Sequence, residues 1–145
     1  MKKILASLLC AACLAFAGSA SAAVQEFGPA DWRFTVDVPE GWTATAKDNG
    51  VQLTKNDQST SFQVDVHPTG GKSAKELVDA MAKATGFTPS QQGEAWVLSG
   101  ESDGVKINVV VNVNEAAGKF SAITLAGTDT DGMGKILSSL KVVNK

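Results

Sequence analysis

Cysteine is almost absent from this chain of 145 residues, which contains only Cys10 and Cys13. Both lie in residues 1–22, a segment that we expect to be cleaved from the mature protein. The remaining chain would contain no cysteine, which excludes disulfide bonds, thiolate metal sites and cysteine nucleophiles. Its 123 residues would then rely on a hydrophobic core alone, and that length is ordinary for a single domain.

The amino-terminal segment has the features of a secretory signal peptide. Lys2 and Lys3 precede an apolar run over residues 4–17, and Ala-Ser-Ala at 20–22 matches a signal-peptidase site. The run is shorter than the ~20 residues of a membrane-spanning helix. We therefore expect cleavage after Ala22, a periplasmic or secreted protein with no membrane attachment, and a single domain over residues 23–145.

Histidine and clusters of like charge are also scarce. His67 is the only histidine, whereas a zinc site needs three or four ligands. Removal of Lys2 and Lys3 leaves 11 of the 13 basic residues against 15 acidic ones, a net charge of about −4. This mildly acidic balance argues against nucleic acid as a partner, and the sequence predicts no metal or other cofactor.

Alternating hydrophobic residues predict a largely antiparallel sheet. Phe34, Val36 and Val38 alternate with polar residues, as do the valines of segment 105–113. Tight turns are indicated by Asp-Asn-Gly at 48–50 and by Ser-Asp-Gly at 102–104. Each turn predicts that the strands on its two sides are antiparallel neighbours.

Trp42 follows Pro-Glu-Gly at 39–41 and begins a segment of alternating small and polar residues. We expect this segment to form a hairpin with strand 34–38, and the indole ring to be buried over the hairpin. By contrast, residues 24–30 read as a lead-in without regular structure.

Two segments change to a helical period. Hydrophobic residues recur at intervals of three and four over 74–85, and Gly86 ends this helix. A second helical spacing covers 133–140. The order is four strands, helix, three strands, helix. It predicts an α+β fold in which two main helices pack on a largely antiparallel sheet of about six to seven strands.

Gly71-Lys72-Ser73 resembles the end of a phosphate-binding loop. Such a loop requires glycine five residues before Gly71, where this chain has Val66. Ser73 and Glu76 instead match a capping box, in which the serine hydroxyl and the glutamate carboxylate accept from each other's backbone amides. The pattern leaves open a weak anion site at this helix start.

Three residues are candidates for partner binding. Exposed tryptophans are favoured anchors at interfaces. We take Trp32 and Trp96 as candidates for such positions at the rim of the core. His67 stands at the expected end of a strand, close to Asp65. No G-x-S-x-G nucleophile motif is present, so the sequence predicts no catalytic residue.

The segments FTVDVPEGW (34–42) and LAGTDTDGMGKILSSLKVV (125–143) resemble the opening and closing segments of PsbP-like domains. The order of elements also resembles that family along nearly the whole mature chain. The resemblance implies an antiparallel sheet between helices, an α/β/α sandwich. It also implies a protein that acts by binding or assembling partners, as the characterised members mostly do.

These observations favour an exported, non-catalytic binding or assembly module whose partner is a protein or a small ligand. Two alternatives stay open. One is a carrier that holds a small ligand between helix and sheet. The other is a hydrolase that uses His67 with nearby acids.

Overall fold

A computed structural model describes residues 23–143. The expected signal peptide, residues 1–22, and residues 144–145 lie outside the described residues. The described chain has an α+β fold with two helices and ten strands, so strands dominate. None of the helices in this part of the chain is long and apolar enough to cross a membrane.

The elements follow one another along the chain and are numbered in that order. The strands are β1 (Ala23–Phe27), β2 (Phe34–Val38), β3 (Trp42–Lys47), β4 (Gly50–Lys55), β5 (Thr60–Pro68), β6 (Thr88–Gln92), β7 (Ala95–Ser102), β8 (Val105–Asn114), β9 (Lys119–Gly127) and β10 (Lys141–Val142). The helices are α1 (Ala74–Thr85) and α2 (Thr130–Ser139).

The strands form two sheets, and all their pairings are antiparallel. The large sheet has seven strands in the order β3-β4-β5-β9-β8-β7-β6, and the small sheet has the order β1-β2-β10. A largely antiparallel sheet of about six to seven strands was expected, and a seven-stranded one is present. Its membership differs, because strand 34–38 lies in a second, small sheet. Three strands were not expected: β1 in the supposed lead-in, the fully exposed β6, and the two-residue β10.

The predicted hairpin between strand 34–38 and the strand of Trp42 is wrong. β2 has β1 on one side and β10 on the other, so both of its edges are occupied. Trp42 pairs instead with Lys55 of β4 in the large sheet. Residues 39–41 carry the chain from one sheet to the other, and Gly41 adopts a positive φ of 87° there. The burial of Trp42 is confirmed, since its side chain is 8% exposed.

The register of the large sheet divides its hydrophobic residues between two faces. Val64 lies opposite Ile123 on one face, and this face packs against the small sheet and α2. Ala122 lies opposite Val111 on the other face, which packs against Leu77 of α1. Because successive residues of a strand point to opposite faces, the two helices cover opposite faces and different halves of the sheet.

Local signals define helix α1. Gly86 ends it in the left-handed conformation with φ 78°. The next residue, Phe87, packs its ring on Gly100 of β7, where a Cβ atom would lie 2.1 Å from the ring. Glycine at position 100 is therefore required for this contact between the end of the helix and the sheet.

Helix α2 begins at an aspartate cap. The Asp129 Oδ1 atom accepts from the Gly132 amide at 2.9 Å, and Met133 and Ile136 are the buried residues of the helix. The predicted helical spacing over 133–140 therefore falls on a real helix, which starts three residues earlier.

Candidate functional site

The start of α1 forms an open concavity of about 290 Å³. Its lining is Thr69, Gly71, Lys72, Ser73, Glu76 and Glu115. The predicted capping box is present: the Ser73 amide donates to Glu76 Oε2 at 2.9 Å, and the Glu76 amide donates to Ser73 Oγ at 3.3 Å. The same Ser73 amide lowers the pKa of the Glu76 carboxyl below its ordinary value of 4.5.

The chain's own oxygens accept hydrogen bonds from most of the backbone amides at this helix start. The Ala74 amide donates to Glu115 Oε2 at 3.3 Å, and the Gly71 amide donates to the Thr69 hydroxyl at 3.3 Å. Two carboxylates, Glu76 and Glu115, therefore stand where the charge of a phosphate would lie. These two carboxylates would repel an anion. The concavity therefore does not support the weak anion site that the sequence leaves open.

His67 lies at the exposed end of β5. Its ring stacks at a tilt on Phe120, with 5.5 Å between the ring centroids. Asp65, on the same face two residues away, forms an ion pair with Lys47 at 3.1 Å and accepts from Gln63. The acid nearest in sequence is thus engaged by other residues.

The two candidate tryptophans are both partly buried, and they pack in different clusters. Trp32 packs with the cluster beneath the small sheet, whereas Trp96 packs with the cluster beneath α1. These clusters lie on opposite faces of the large sheet. The structure therefore does not bring Trp32, Trp96 and His67 together into one surface.

A different surface has the properties of a recognition site. α1 covers one face of the large sheet over β6, β7, β8 and the end of β9 that carries Phe120 and Ala122. Beyond it, β3, β4, β5 and the other end of β9 present neutral polar side chains. We call this surface the polar platform. Its members are Thr43, Thr45, Gln52, Thr54, Ser61, Gln63 and Thr124.

Cross-strand pairing arranges the polar platform in two rows. In the first row, Thr54 lies between Thr43 and Ser61 on the neighbouring strands. In the second, Gln52 and Gln63 lie side by side between Thr45 and Thr124. Such pairs lie about 4.5–5.5 Å apart between Cβ atoms, so each row is continuous. The platform carries hydroxyl and amide groups on a rigid backbone.

The charged residues of this face lie at one end of the polar platform. Lys47 and Asp65 neutralise each other, and their side chains are 35% and 14% exposed. His67 lies on the same face of β5, two residues beyond Asp65. The middle of the platform is therefore uncharged. Gln52, Thr54, Ser61 and Thr124 are partly exposed there, and Gln63 donates to Asp65.

A second concavity lies between β2 and α2. It is an open groove of about 690 Å³, lined by Asp37, Thr130, Asp131, Gly134, Lys135, Ser138 and Ser139. The Ser139 hydroxyl accepts from the Asp37 amide at 2.9 Å and donates to the Ile136 carbonyl at 2.7 Å. Ser139 thus joins the small sheet to α2, and its hydroxyl is used in hydrogen bonds to the backbone on both sides of the groove.

An ion pair fixes the start of α2 on the large sheet. Lys55 Nζ lies 3.0 Å from Asp129 Oδ2. The Gly132 amide, followed by Lys55, lowers the pKa of Asp129 below its ordinary value of 3.8. The Asp129 amide in turn donates to the buried Thr60 hydroxyl at 3.0 Å. Asp129 therefore both caps α2 and joins it to the large sheet through Lys55 and Thr60.

Within residues 23–143, no group of three or more histidine, cysteine, aspartate or glutamate residues could hold a metal ion. The chain matches no protein-family model, and a comparison with curated proteins finds no match.

The sequence contained the signal for the polar platform, although the platform was not predicted. Threonine, serine and glutamine alternate with the hydrophobic residues of segments 43–54 and 61–66. That pattern predicts one solvent-facing side for each strand. Only the arrangement of β3, β4 and β5 as neighbours, away from α1, brings those sides together.

Proposed function

We propose that this chain is an exported, non-catalytic binding or assembly module that recognises a protein partner on its polar platform. The observation that supports this is the pair of cross-strand rows, one with Thr54 and one with Gln52, left uncovered by either helix. Hydroxyl and amide side chains adapt their hydrogen bonds to a partner, and the strands that carry them are already ordered, so binding need not order their backbone.

The absence of net charge in the middle of the polar platform suits a protein partner. A polyanion would be attracted by a basic surface, whereas Lys47, the one lysine that β3, β4, β5 and β9 present on this face within residues 23–143, is paired with Asp65. A neutral polar surface permits close approach without desolvating unpaired charges. His67 lies at the platform's end, and we include it in the proposed binding surface.

The PsbP-like α/β/α sandwich is part of the same proposal. The two segments that resemble that family meet in space, because a Cβ atom on Gly132 would lie 3.0 Å from the Trp42 ring. The helices also lie on opposite faces of the large sheet. A shared fold does not by itself define a function, and the polar platform supplies the argument for binding.

A small-ligand carrier is the second candidate, and its site would have to be the groove between β2 and α2. The space between α1 and the sheet is filled by Leu77, Val78 and Leu98, so only the side of α2 leaves room for the ligand between helix and sheet. Asp37, Asp131 and Lys135 offer charges of both signs to a polar ligand in the groove. For a hydrolase, the test would be loss of an observed activity in His67→Ala.

Export is tested by the mass of the mature protein. We expect the chain recovered from a periplasmic extract or culture medium to begin at Ala23, which is also the first residue of β1. Intact-mass measurement should show the loss of residues 1–22 and no lipid. A diacylglycerol adduct on Cys10 or Cys13 would contradict both the cleavage and the absence of a membrane anchor.

Binding is tested by placing charge on the polar platform. The double variant Gln52→Arg, Thr54→Arg changes two partly exposed side chains of β4 that make no side-chain hydrogen bond among the described contacts. The matched control, Ser90→Arg with Asn112→Arg, adds the same charge to exposed positions on the opposite face.

Tagged wild-type and variant chains are used to capture partners from the extract, with mass-spectrometric quantification. We expect at least one protein to be captured by the wild type and the control and to be reduced roughly tenfold with the platform variant, as for ~1.4 kcal/mol of binding free energy. Equal capture by both variants would refute the polar platform as the binding surface.

A further inference from the structure

The large sheet ends in two edge strands that differ in their protection against pairing. β3 forms one edge and β6 forms the other. An edge strand exposes a row of unpaired backbone amides and carbonyls, which a further strand can pair with. Proteins commonly block such edges with proline, charges or bulges.

The hydrogen-bond register identifies the free backbone groups of β3. The Gly41 carbonyl accepts from the Asn56 amide at 2.8 Å. In an antiparallel pair, such bonded positions recur at every second residue, so the backbone at 43, 45 and 47 also points to β4. The backbone groups of Ala44 and Ala46 consequently point away from the sheet. The Trp42 amide is used within its own turn, where it donates to the Pro39 carbonyl at 3.1 Å.

The same reasoning shows that β6 is blocked. Its register with β7, closed by the two-residue turn 93–94, directs the backbone of Ser90 and Gln92 to β7. Pro89 and Gln91 then face the open edge, and proline has no amide hydrogen to donate. β3 has no proline, and its one charge, Lys47, lies at the strand end and is paired with Asp65. β3 is therefore the open edge of the large sheet.

We propose that β3 pairs antiparallel with β3 of a second copy of this chain, about a two-fold axis that passes at Thr45. In this register Ala44 lies opposite Ala46 of the second copy, and Ala46 lies opposite its Ala44. The amide and the carbonyl of both alanines then find partners across the axis. Moving the axis to Ala44 would leave the Ala46 carbonyl unpaired, because the residue opposite, Trp42, has already committed its amide.

The side chains of β3 are self-complementary in this register. Thr45 meets Thr45 of the second copy, and Thr43 meets its Lys47, so no like charges lie opposite each other. Ala46, Thr43 and Thr45 are exposed in the single chain, and Ala44 is partly buried. Small side chains at these positions allow a second strand to approach to the usual 4.7–4.9 Å.

The pairing has a consequence for the polar platform. Residues opposite each other on paired strands point to the same face, so the platforms of the two copies would join across the axis into one surface. The dimer itself does not depend on the proposed function, because it rests on the backbone groups of Ala44 and Ala46. Its test therefore uses no partner protein.

Cysteine substitution tests the register directly. The background is the full chain with Cys10→Ser and Cys13→Ser, which leaves no native cysteine. Thr45→Cys places two cysteines opposite each other at a Cα separation of about 4.5 Å, within disulfide range. The matched control Thr43→Cys lies on the same strand and face, but its two copies would be about 13 Å apart.

We expect mild oxidation to convert most of Thr45→Cys into a disulfide-linked dimer and to leave Thr43→Cys at least tenfold less cross-linked. Equal cross-linking of the two variants, or none in Thr45→Cys, would overturn the proposed register.

Sedimentation measures the dimer without a covalent link. The chain with native threonine at 45 should sediment as a concentration-dependent dimer, and Thr45→Arg should shift it to monomer by placing like charges at the axis. Ser90→Arg, which adds the same charge to β6, should leave the dimer unchanged. A chain that stays monomeric up to millimolar concentration, or a dimer unaffected by Thr45→Arg, would contradict the proposal.

Discussion

At the scale of single residues, two glycines of α2 affect stability in opposite directions. A Cβ atom on Gly132 would lie 2.5 Å from Asp129 Oδ2 and 3.0 Å from the Trp42 ring, whereas one on Gly134 would meet nothing within 4 Å. Gly132 therefore permits the close packing of the helix start on the core. Gly134 contributes no such contact and only weakens the helix, since glycine costs about 0.8–1.0 kcal/mol relative to alanine in a helix interior.

We expect Gly132→Ala and Gly134→Ala to change stability in opposite directions. Gly132→Ala should lower the free energy of unfolding because Asp129 must leave its cap or Trp42 must move. Gly134→Ala should raise it by up to ~1 kcal/mol. Urea denaturation followed by tryptophan fluorescence measures both. Shifts of the same sign would contradict this account of the two positions.

Trp42 is the core residue of the corner between the two sheets. It is 8% exposed and belongs to the cluster beneath the small sheet. Trp42→Ala should lower the free energy of unfolding by ~3–5 kcal/mol, because it removes a buried aromatic side chain and leaves a cavity. Trp32→Ala and Trp96→Ala, both at partly buried positions, should cost less. A Trp42→Ala denaturation midpoint equal to that of the parent protein would disprove the core role.

At the scale of elements, the capping box determines where α1 begins. Its two hydrogen bonds join Ser73 and Glu76, three residues apart, and need nothing from the rest of the fold. Ser73→Ala should lower the free energy of unfolding by ~0.5–2 kcal/mol, the usual cost of a lost serine cap. Lys72→Ala, at the exposed preceding residue, is the control and should change it little. Chemical denaturation that ranks Lys72→Ala as the costlier change would argue for a different role of this segment.

The edges of the large sheet show how one residue changes the property of a whole strand. Pro89 removes the outward amide of β6, whereas the alanines of β3 retain theirs. Both strands are short and end the sheet, and strand length and edge position alone do not show which of them can accept a further strand. What distinguishes them is which alternate residues direct their backbone groups to the open edge: Pro89 and Gln91 in β6, and Ala44 and Ala46 in β3.

At the scale of the whole molecule, several carboxylates make the fold sensitive to acid. The Gly132 amide and Lys55 lower the pKa of Asp129, and the Ser73 amide lowers the pKa of Glu76. Each group binds its proton more weakly in the folded chain than in the unfolded chain. Their stabilisation is therefore present above the ordinary values of 3.8 and 4.5 and is lost as pH falls through the lower folded values.

The pKa of Lys55 shifts in the opposite direction to those of Asp129 and Glu76. Its hydrogen bond with Asp129 raises its pKa above the ordinary value of 10.5. The folded chain therefore holds this proton more tightly than the unfolded chain. The stabilisation is complete below 10.5 and is lost as pH rises through the higher folded value.

We expect the free energy of unfolding to decline below about pH 5 and again above about pH 10.5. Asp129→Asn keeps a capping side chain but removes the charge, so it should flatten both declines. Urea denaturation at a series of pH values measures this. Unchanged slopes in Asp129→Asn would show that the Lys55–Asp129 pair does not link stability to pH.

The local features of the fold were predictable from the sequence. The extent of α1, its capping box, its end at Gly86 and the turn at 48–50 all depend on residues within a few positions of one another. Intrinsic helical periodicity, a serine hydroxyl near an amide and the tolerance of glycine for positive φ act over that range. The α+β class and the antiparallel pairing across the turns at 48–50 and 102–104 follow from the same local signals.

The tertiary structure alone decided which strands are neighbours, and with that the candidate site. β5 pairs with β9, about 60 residues later in the chain, and no local pattern encodes that choice. β2 takes β1 and β10 as neighbours, so the strand of Trp42 enters the other sheet. Thr54 and Gln52 become a platform only because α1 packs elsewhere, and the backbone groups of Ala44 are left without a strand partner only because β3 ends the sheet. Burial and pairing between distant segments depend on the sum of many weak contacts, whereas a cap or a turn depends on a few strong local ones.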